Sequence, residues 1–368
     1  ATSSRSKNAP TERCSPMLSA RETTLEELAR AQQSTYFRYR LQDVPFRWTS
    51  GTYDYAKLGN ELTILSNVQV VDVFHLYAPD QNIFVSDVSY ENSLNTWGVP
   101  HTRTSSSVKI DRVRPLRRIP EPVFVLGGHN NHYHWIMNWL PRLLVYDKLK
   151  TLVPQLAYCK FLVHADISDA HLESLAALGI GPERIIKKGG SEWIHLDCAI
   201  VPSFFSSNCY YDDVFIFLKE KFGSYRKPCD GSRIYVSRQN IKTPRRRVIN
   251  QEELDLVFHK HGVKTVVLEE MSFIDQIAAF SAAEVVVGPH GAGLANMVFS
   301  SRSSKLLLFE YKKRSEYALL CDKLGISCNM LVCNQHIDAP YERDNPAFQD
   351  RLRDLIVDCS LVDRILSD

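Results

Sequence analysis

The stretch KTVVLEEMSFIDQIAAFSAAEVVVGPHGAGLANMVF, residues 264–299, alternates two kinds of secondary structure and sets the fold class. KTVVLEE and EVVVG are short, valine-rich runs typical of buried strands, and SFIDQIAAFSAA between them has the length and apolar spacing of a helix. PHGAGLANMVF then forms a tight glycine turn that opens a short helix. Near-continuous apolar strands separated by helices predict a parallel sheet covered on both faces.

The same alternation extends on both sides of this stretch. From residue 122 onward, PVFVLG, FLVHAD, ERIIKK and EWIHLDCAIVPS predict strands, and helices are predicted from about Asn131 to Lys150 and over SDAHLESLAALGI. After the loop YRKPCDGS, RIYVSR, KLLLFE and SCNMLVC predict strands, and NQEELDLVFHKHG predicts a helix with Asn250 as its N-cap. The sequence therefore predicts an α/β protein with two successive lobes and ligands at the carboxyl ends of the strands.

This prediction divides the chain into five parts. They are a disordered leader (1–20), a helix with a β-rich preamble (21–115), an N-terminal lobe (116–228), a C-terminal lobe (229–345) and a C-terminal helix (346–368) that packs back on the first lobe.

Composition limits the partners and the compartment. The 368 residues carry a net charge of +2, so no global field favours nucleic acid. The chain contains no run of about 18 apolar residues, so no transmembrane segment is predicted. A peripheral membrane association and a homodimer stay open. The nine cysteines form no C-x-x-C pair, which favours reduced thiols and a cytoplasmic location, including the inner face of a membrane. A Golgi or ER lumen is the alternative if an N-terminal anchor precedes Ala1.

The glycine turn VVVGPHGAGLAN (285–296) is typical of an anion site. Gly291 and Gly293 let backbone N–H groups and a helix N-terminus face an anion, and His290 is expected to donate to a phosphate oxygen. The turn is not G-x-G-x-x-G, which argues against NAD. The alternative is a glycine turn needed only for helix–strand packing.

Charged side chains also follow strand ends in the second lobe. Arg238 ends RIYVSR, and Arg245, Arg246 and Arg247 precede the next helix. Guanidinium groups bind diphosphate oxygens through paired donors without a metal ion, although the triplet also fits a solvated basic loop. Glu310 ends KLLLFE, where a carboxylate can accept both hydroxyls of a ribose. A salt-bridged glutamate is the alternative there.

A histidine cluster begins the predicted helix of the first lobe, in GGHNNHYHWIMNWLPRLL (127–144). Helical spacing places His134, Asn138 and Arg142 on one face, and the positive helix end favours the neutral imidazole that a general base requires. Two alternatives stay open: a zinc site built from His129, His132 and His134, and histidines that only cap the helix. No helical or strand period places the three histidines on one face, which counts against zinc.

The segments HNNHYHWIMNWLPRLL, YVSRQNIKTPRRRVINQEEL and LEEMSFIDQIAAFSAAEVVVGPHGAGLANMVF occur in this order and resemble family 61 glycosyltransferases, the DUF563 group. That family includes plant xylosyl- and arabinosyltransferases, eukaryotic enzymes that transfer O-GlcNAc or extend O-mannose, and bacterial capsular-polysaccharide proteins. The resemblance covers about residues 121–330. It implies a GT-B fold, with two Rossmann-like lobes that face a cleft, the C-terminal lobe binding the nucleotide-sugar and the N-terminal lobe the acceptor.

The resemblance also implies the chemistry. It implies inverting, metal-independent transfer from a nucleotide-sugar, usually a UDP-sugar, to a hydroxyl of a glycan, lipid-linked or protein-linked acceptor, with no cofactor. The expected donor-binding residues are Ser237, Arg238, Arg246, His290, Gly291, Ala292, Gly293, Asn296 and Glu310. The expected acceptor-side residues are His129, Asn131, Trp135 and Arg142.

The catalytic candidates are His134 as base, with His132 as the alternative, and Asn138. Many family members carry Asp or Glu where this chain has Asn138, so a carboxylate-dependent role is lost there and the base function moves to His134 or His132. A nucleotide- or glycan-binding protein without transfer is the second functional hypothesis, and a zinc-dependent hydrolase is the third.

Overall fold

The computed structural model describes residues 18–34, 36–38, 46–47, 61–71, 74–85, 101–103, 107–110, 116–189, 192–202, 209–241, 245–312, 315–335 and 353–367. Within these ranges the protein is a mixed α/β structure. Its strands, numbered in chain order, are β1 (Leu18–Thr23), β2 (Tyr36–Arg38), β3 (Phe46–Arg47), β4 (Glu61–Val71), β5 (His75–Ala78), β6 (Ile83–Val85), β7 (His101–Arg103), β8 (Ser107–Ile110), β9 (Leu116–Ile119), β10 (Val123–Gly127), β11 (Lys160–His164), β12 (Ile185–Lys188), β13 (Trp193–Pro202), β14 (Cys209–Tyr210), β15 (Ser232–Val236), β16 (Val263–Val266), β17 (Ala283–Pro289), β18 (Lys305–Glu310), β19 (Ser327–Val332), β20 (Asn334–Gln335) and β21 (Leu355–Ile356).

The helices are numbered in the same way. They are α1 (Leu25–Ala31), the irregular helix α2 (132–152), α3 (Asp169–Ala177), α4 (Asp212–Lys221), α5 (Gln251–Lys260), α6 (Phe273–Ala282), α7 (Glu316–Leu324) and α8 (Cys359–Ser367). Short 3₁₀ helices span Pro154–Leu156, Pro182–Arg184, Gly223–Tyr225, Leu268–Glu270 and Ala292–Phe299. None of the helices in the described ranges has the length and apolar character needed to cross a bilayer.

The chain forms two compact units whose boundaries differ from the predicted lobes. The first comprises residues 1–37, 62–125 and 188–203, and the second comprises residues 38–61, 126–187 and 204–368. The boundary differs because β13 pairs along its length with β4, which belongs to the predicted preamble. The second unit therefore contains both the histidine-rich helix and the glycine turn.

The first unit contains the consecutive strands β10-β13-β4-β5-β6-β1-β8-β7 of a mixed sheet. β10 runs parallel to β13, whereas β4 runs antiparallel to it. The predicted leader ends too late, because β1 begins at Leu18 and pairs with β6 and β8. Residues 1–17 lie outside the described residues.

The second unit contains a five-stranded sheet in which every neighbouring pair is parallel. Its order is β16-β15-β17-β18-β19, so the second strand in sequence lies at one edge and the first lies beside the third. Each connection between consecutive strands contains a helix, as the alternating sequence predicted. This is a doubly wound order whose direction reverses between β15 and β17.

The C-terminal segment packs on this sheet rather than on the first predicted lobe. Val362 and Leu366 of α8 belong to the same buried cluster as Tyr235 and Phe258, and Lys260 of α5 pairs with Asp363. Residues 346–352 of the predicted terminal helix lie outside the described residues.

Asn250 explains part of this packing. It occupies the N-cap position of α5, but its side chain makes no cap hydrogen bond. Its amide instead donates to Val357 O at 2.8 Å and accepts from Val357 N at 3.0 Å. The polar residue that was predicted to start a helix therefore binds the C-terminal segment.

Helix α2 is the main irregularity in the second unit. An α-helical turn (His132–His134) is followed by a π-helical turn (Trp135–Trp139), a 3₁₀ turn (Leu140–Arg142) and a regular α-helix (Leu143–Leu152). Pro141 has no N–H to bond the carbonyl four residues earlier. The Leu140 N–H bonds Trp135 O, five residues earlier, which is the π-helical pattern. The change in pitch rotates residues after 139 relative to a regular helix.

Two glycines of the second unit adopt left-handed backbone conformations for different reasons. Gly179 (φ +77°) ends α3, and a Cβ there would meet nothing within 4 Å. Gly127 (φ +87°) faces the ring of buried Trp139, and a Cβ there would overlap that ring. We expect Gly179→Ala to cost about 1 kcal/mol from the backbone alone. Gly127→Ala should cost about 3 kcal/mol, because overpacking of the core adds to the same backbone cost.

Denaturant unfolding of the two alanine variants checks this difference. Equal losses of unfolding free energy would mean that Trp139 moves away without cost.

Candidate functional site

The point where the strand order of the parallel sheet reverses gathers most of the predicted donor-side residues. β15 ends at Val236 and is followed by Ser237 and Arg238, while β17 ends at Pro289 and is followed by His290. The two strands are parallel neighbours, so their carboxyl ends lie at the same edge of the sheet. Such a reversal leaves a crevice in which doubly wound proteins bind their ligands.

Arg238 lies directly against Gly291. A Cβ on Gly291 would collide with the Arg238 guanidinium, and the backbone φ of Gly291, −168°, is open to any residue. An alanine at 291 would therefore displace the Arg238 side chain from its present position. The Nε of Arg238 donates to Arg245 O at 3.2 Å, which fixes the side chain across the turn.

Gly293 has a different role, since a Cβ there would meet the side chain of Leu268. Gly291 thus allows the close approach of a guanidinium, and Gly293 allows that of Leu268 from the 3₁₀ helix Leu268–Glu270. The 3₁₀ helix that Ala292 begins makes its first internal bond from Leu294 N to Gly291 O. The amides of Ala292 and Gly293 precede that bond at the N-terminus of the helix.

Arginines concentrate positive charge beside this turn. Burial, followed by repulsion from Arg246 and Arg245, lowers the pKa of Arg238 to about 10. Arg246 has a left-handed backbone (φ 53°), and its buried Nε has no hydrogen-bond partner. In the described part of the chain, no carboxylate lies within ion-pair distance of Arg238 or Arg246. Arg247 differs from both, because it pairs with buried Asp354 at 2.7 Å.

Ser237 is buried at the end of β15, and its hydroxyl accepts from Gln239 N at 3.2 Å. It thus orders the loop that carries Arg238.

His290 is held between two carboxylates. Its Nδ1 lies 2.8 Å from Glu310 Oε2, and its Nε2 lies 3.0 Å from Glu316 Oε1. Only a ring protonated at both nitrogens can donate to both carboxylates. With both nitrogens occupied, the His290 ring has no N–H for a phosphate, so the predicted direct contact is not made in this arrangement.

Glu310 does not present an oxygen to a ribose. Its side chain is fully buried, with Oε2 on His290 and Oε1 accepting from Tyr311 N at 2.9 Å. The prediction took a strand-end carboxylate as exposed, whereas the carboxylate turns inward to His290. Glu310 therefore positions His290.

His132 connects α2 with the 3₁₀ helix that follows the glycine turn. Its Nε2 lies 2.9 Å from Asn296 Oδ1, and Asn296 in turn donates to Gln276 Oε1 at 2.8 Å. Burial lowers the pKa of His132, and the hydrogen bond to Asn296 opposes this shift. Asn296 was expected to bind the donor, and the structure places its amide on the histidine instead.

His134 and Asn138 are in contact, as the helical spacing predicted. The His134 Nδ1 lies 2.8 Å from Asn138 Oδ1, and Asn138 is completely buried. Burial lowers the pKa of His134, while Asn138 and the charge of Glu316 act in the opposite direction. Asn131 caps the turn by accepting from His134 N at 3.3 Å.

His129 is half-buried beside His134, with ring centroids 5.1 Å apart. Burial, followed by the neighbouring His134 and His164, lowers its pKa to about 3. Within the described ranges, no three His, Cys, Asp or Glu side chains are placed to share a metal ion.

Two predicted acceptor-side residues are buried, which corrects those assignments. Trp135 donates from Nε1 to Ser174 Oγ at 3.0 Å, and Arg142 donates to Leu126 O at 3.2 Å. Both have zero exposure and offer no surface to an acceptor. The π-helical turn changes the helical period between His134 and Arg142.

The structure adds residues that the sequence analysis did not select. Glu316 and Tyr317 begin α7 beside His290, and the Tyr317 and His290 rings are 5.0 Å apart. His171 stacks between Trp135 and His132, at 4.7 and 5.6 Å. Gln276 carried a usable signal, because it is a polar residue among the apolar residues of α6. The positions of the others follow from tertiary contacts alone.

The Glu316 carboxylate makes stability depend on pH. Burial alone would raise its pKa. The hydrogen bond and the charge of His290 outweigh burial and lower the pKa from 4.5 to about 2. A carboxylate with a depressed folded-state pKa stabilises the fold above its unfolded pKa and loses that effect as pH falls. We expect Glu316→Gln to lower the unfolding free energy by about 2 kcal/mol at pH 7. The loss should shrink below pH 4.5 and vanish near pH 2.

Denaturant titrations of Glu316→Gln at several pH values measure this dependence. Glu252→Gln, at an exposed position, is the control. A loss that stays constant between pH 7 and pH 3 would contradict the assignment.

Comparison with known proteins identifies one family model that matches this part of the chain. Residues 132–307 match the family model Glycosyltransferase 61, and this range contains α2, the Arg238 loop, the glycine turn and the first half of β18. No curated protein showed significant similarity to the chain. Residues 132–307 thus form a family 61 glycosyltransferase domain, and the chain is a glycosyltransferase.

Proposed function

We propose that this protein is an inverting, metal-independent glycosyltransferase of GT-B type, which moves a sugar from a UDP-sugar to a hydroxyl of a glycan or glycoconjugate. The observation that carries the proposal is the position of the Arg238 guanidinium against Gly291, where the strand order reverses. A diphosphate is the ligand whose charge and planar oxygen pairs suit such a guanidinium group.

The arginines supply the positive charge that the leaving group requires. In the described ranges, Arg238 and Arg246 have no carboxylate within ion-pair distance. A dianion bound beside one of these side chains is therefore also attracted by the other. Charge that develops on the diphosphate is stabilised by these two side chains and by the N–H groups at the start of the 3₁₀ helix.

A histidine at the start of α2 acts as the base. The acceptor hydroxyl gives its proton to an imidazole nitrogen, and the oxygen forms a bond to the anomeric carbon from the face opposite UDP. The bond from that carbon to the diphosphate breaks, and its electron pair leaves with the diphosphate. His134 and His132 both qualify, because burial lowers the pKa of each and keeps the ring neutral at pH 7.

Removal of the guanidinium is expected to slow the chemical step. Arg238→Ala should lower kcat by about 10²–10³-fold, because a donor aimed at the developing charge is lost. Gly291→Ala should lower it as well, since the added methyl displaces the Arg238 side chain. Arg302→Ala, at an exposed position, is the control.

UDP release measured with an acceptor present gives the three rates. Unchanged turnover in Arg238→Ala would remove this residue from the mechanism.

The donor and the metal requirement are tested together by thermal denaturation. We expect one UDP-sugar of a panel to raise Tm by several degrees at about 100 times its Kd, because binding to the folded state alone adds about 2.7 kcal/mol. The same shift should appear with EDTA present. Disappearance of the shift on chelation would show that a cation takes part in donor binding.

A further inference from the structure

The amide of Gln276 has one orientation that satisfies its neighbours. Its Nε2 lies 3.0 Å from Leu268 O and 3.3 Å from Met271 O. Carbonyl oxygens only accept hydrogen bonds, so the amide nitrogen must face them. The Gln276 oxygen therefore faces Asn296.

This orientation determines the next group. An amide oxygen needs a donor, and Asn296 Nδ2 lies 2.8 Å from Gln276 Oε1. The oxygen of Asn296 is then the atom that faces His132 Nε2, at 2.9 Å. Because that oxygen accepts, Nε2 carries the proton and the lone pair of the neutral ring is at Nδ1.

We propose that Gln276 and Asn296 are positioning residues that fix the tautomer of His132 and so make His132, through Nδ1, the base of the transfer. This inference rests on the proposed function. In the reaction, the acceptor proton moves to Nδ1, and the resulting imidazolium keeps its Nε2 proton on Asn296. The proton, the new carbon–oxygen bond and the departing diphosphate balance as described above.

Two observations favour His132 over His134. The chain that orients His132 ends on two backbone carbonyls, which cannot change their hydrogen-bonding sense. Asn296 also lies in the 3₁₀ helix that begins beside Arg238, so one element places both the base and the guanidinium that faces the leaving group. His134, by contrast, is oriented by Asn138 of its own helix.

In the described part of the chain, the side chains in contact with His132 are uncharged at neutral pH. The titratable group that faces it is His171 of α3, whose ring stacks on it and whose pKa burial and the neighbouring histidines lower to about 2. The element α6 contributes the edge of Phe273, and the 3₁₀ helix contributes neutral Asn296. A charge introduced at 296 should therefore dominate the protonation of His132.

The tautomer is measured directly by nitrogen NMR of the full chain labelled at histidine, with the His132 signal assigned by its loss in His132→Gln. We expect a protonated Nε2 and an unprotonated Nδ1 in the unsubstituted protein. Gln276→Leu removes the anchor and should produce a mixture of both tautomers. In the same variant we expect kcat to fall at least about 10-fold and KM for the UDP-sugar to change less than about 3-fold, as for loss of a positioned base.

A matched pair of variants distinguishes the two histidines. Asn296→Asp places a carboxylate on His132 and should move the acidic limb of the kcat/KM profile up by about 1 pH unit. Asn138→Asp places one on His134 and should move that limb less. Equal movement in both variants, movement only in Asn138→Asp, or a protonated Nδ1 in the unsubstituted protein would each overturn the proposal.

A different result is expected if the protein does not transfer sugars at all. A chain that transfers no sugar from any nucleotide-sugar refutes glycosyl transfer, whereas the NMR measurement still reports whether the tautomer is fixed. A purely structural role for Gln276 would lower Tm while the tautomer and the pH profile stayed unchanged, and that outcome also counts against the proposal.

Discussion

The hydrogen bond between His132 and Asn296 joins the two parts of the family 61 domain, and much of the site depends on it. It connects the first turn of α2 to the 3₁₀ helix that follows the glycine turn. A buried amide or imidazole without a partner costs about 1–3 kcal/mol, so this contact strongly favours one mutual position of the two elements. The His134–Asn138 pair, the stacked His171 ring and the Arg238 position all lie on elements that this bond or its neighbours fix.

The parallel sheet was predictable because its strands are continuously apolar. VVVG and KLLLF can only be buried on both faces, and the helices between them leave few alternatives to a doubly wound order. The carboxyl ends of β15 and β17 then meet by topology, so Arg238 and Gly291 could be assigned to one site from sequence. The role of each glycine could not be predicted from the sequence, because the space beside Arg238 or Leu268 depends on tertiary contacts.

The incorrect assignments share a physical cause, which is local geometry that residue type does not reveal. Arg142 was assigned to the face of His134 on a regular helical period, and the π-helical turn before Pro141 breaks that period. Glu310 was assigned to a ribose as a strand-end carboxylate, but it turns inward to His290. The C-terminal helix was assigned to the wrong lobe because nothing in its sequence shows that Asn250 binds Val357.

The cluster of Arg238, Arg245 and Arg246 has a consequence for the protein before any substrate arrives. Like charges held together by the fold raise the free energy of the native state, and the unfolded chain relieves them by separating the side chains. A bound polyanion removes that penalty in the native state only, so donor binding and folding draw on the same electrostatic energy. Burial, followed by repulsion from Arg246 and Arg245, already lowers the pKa of Arg238 to about 10. The donor is in this sense a structural component of the domain as well as its substrate.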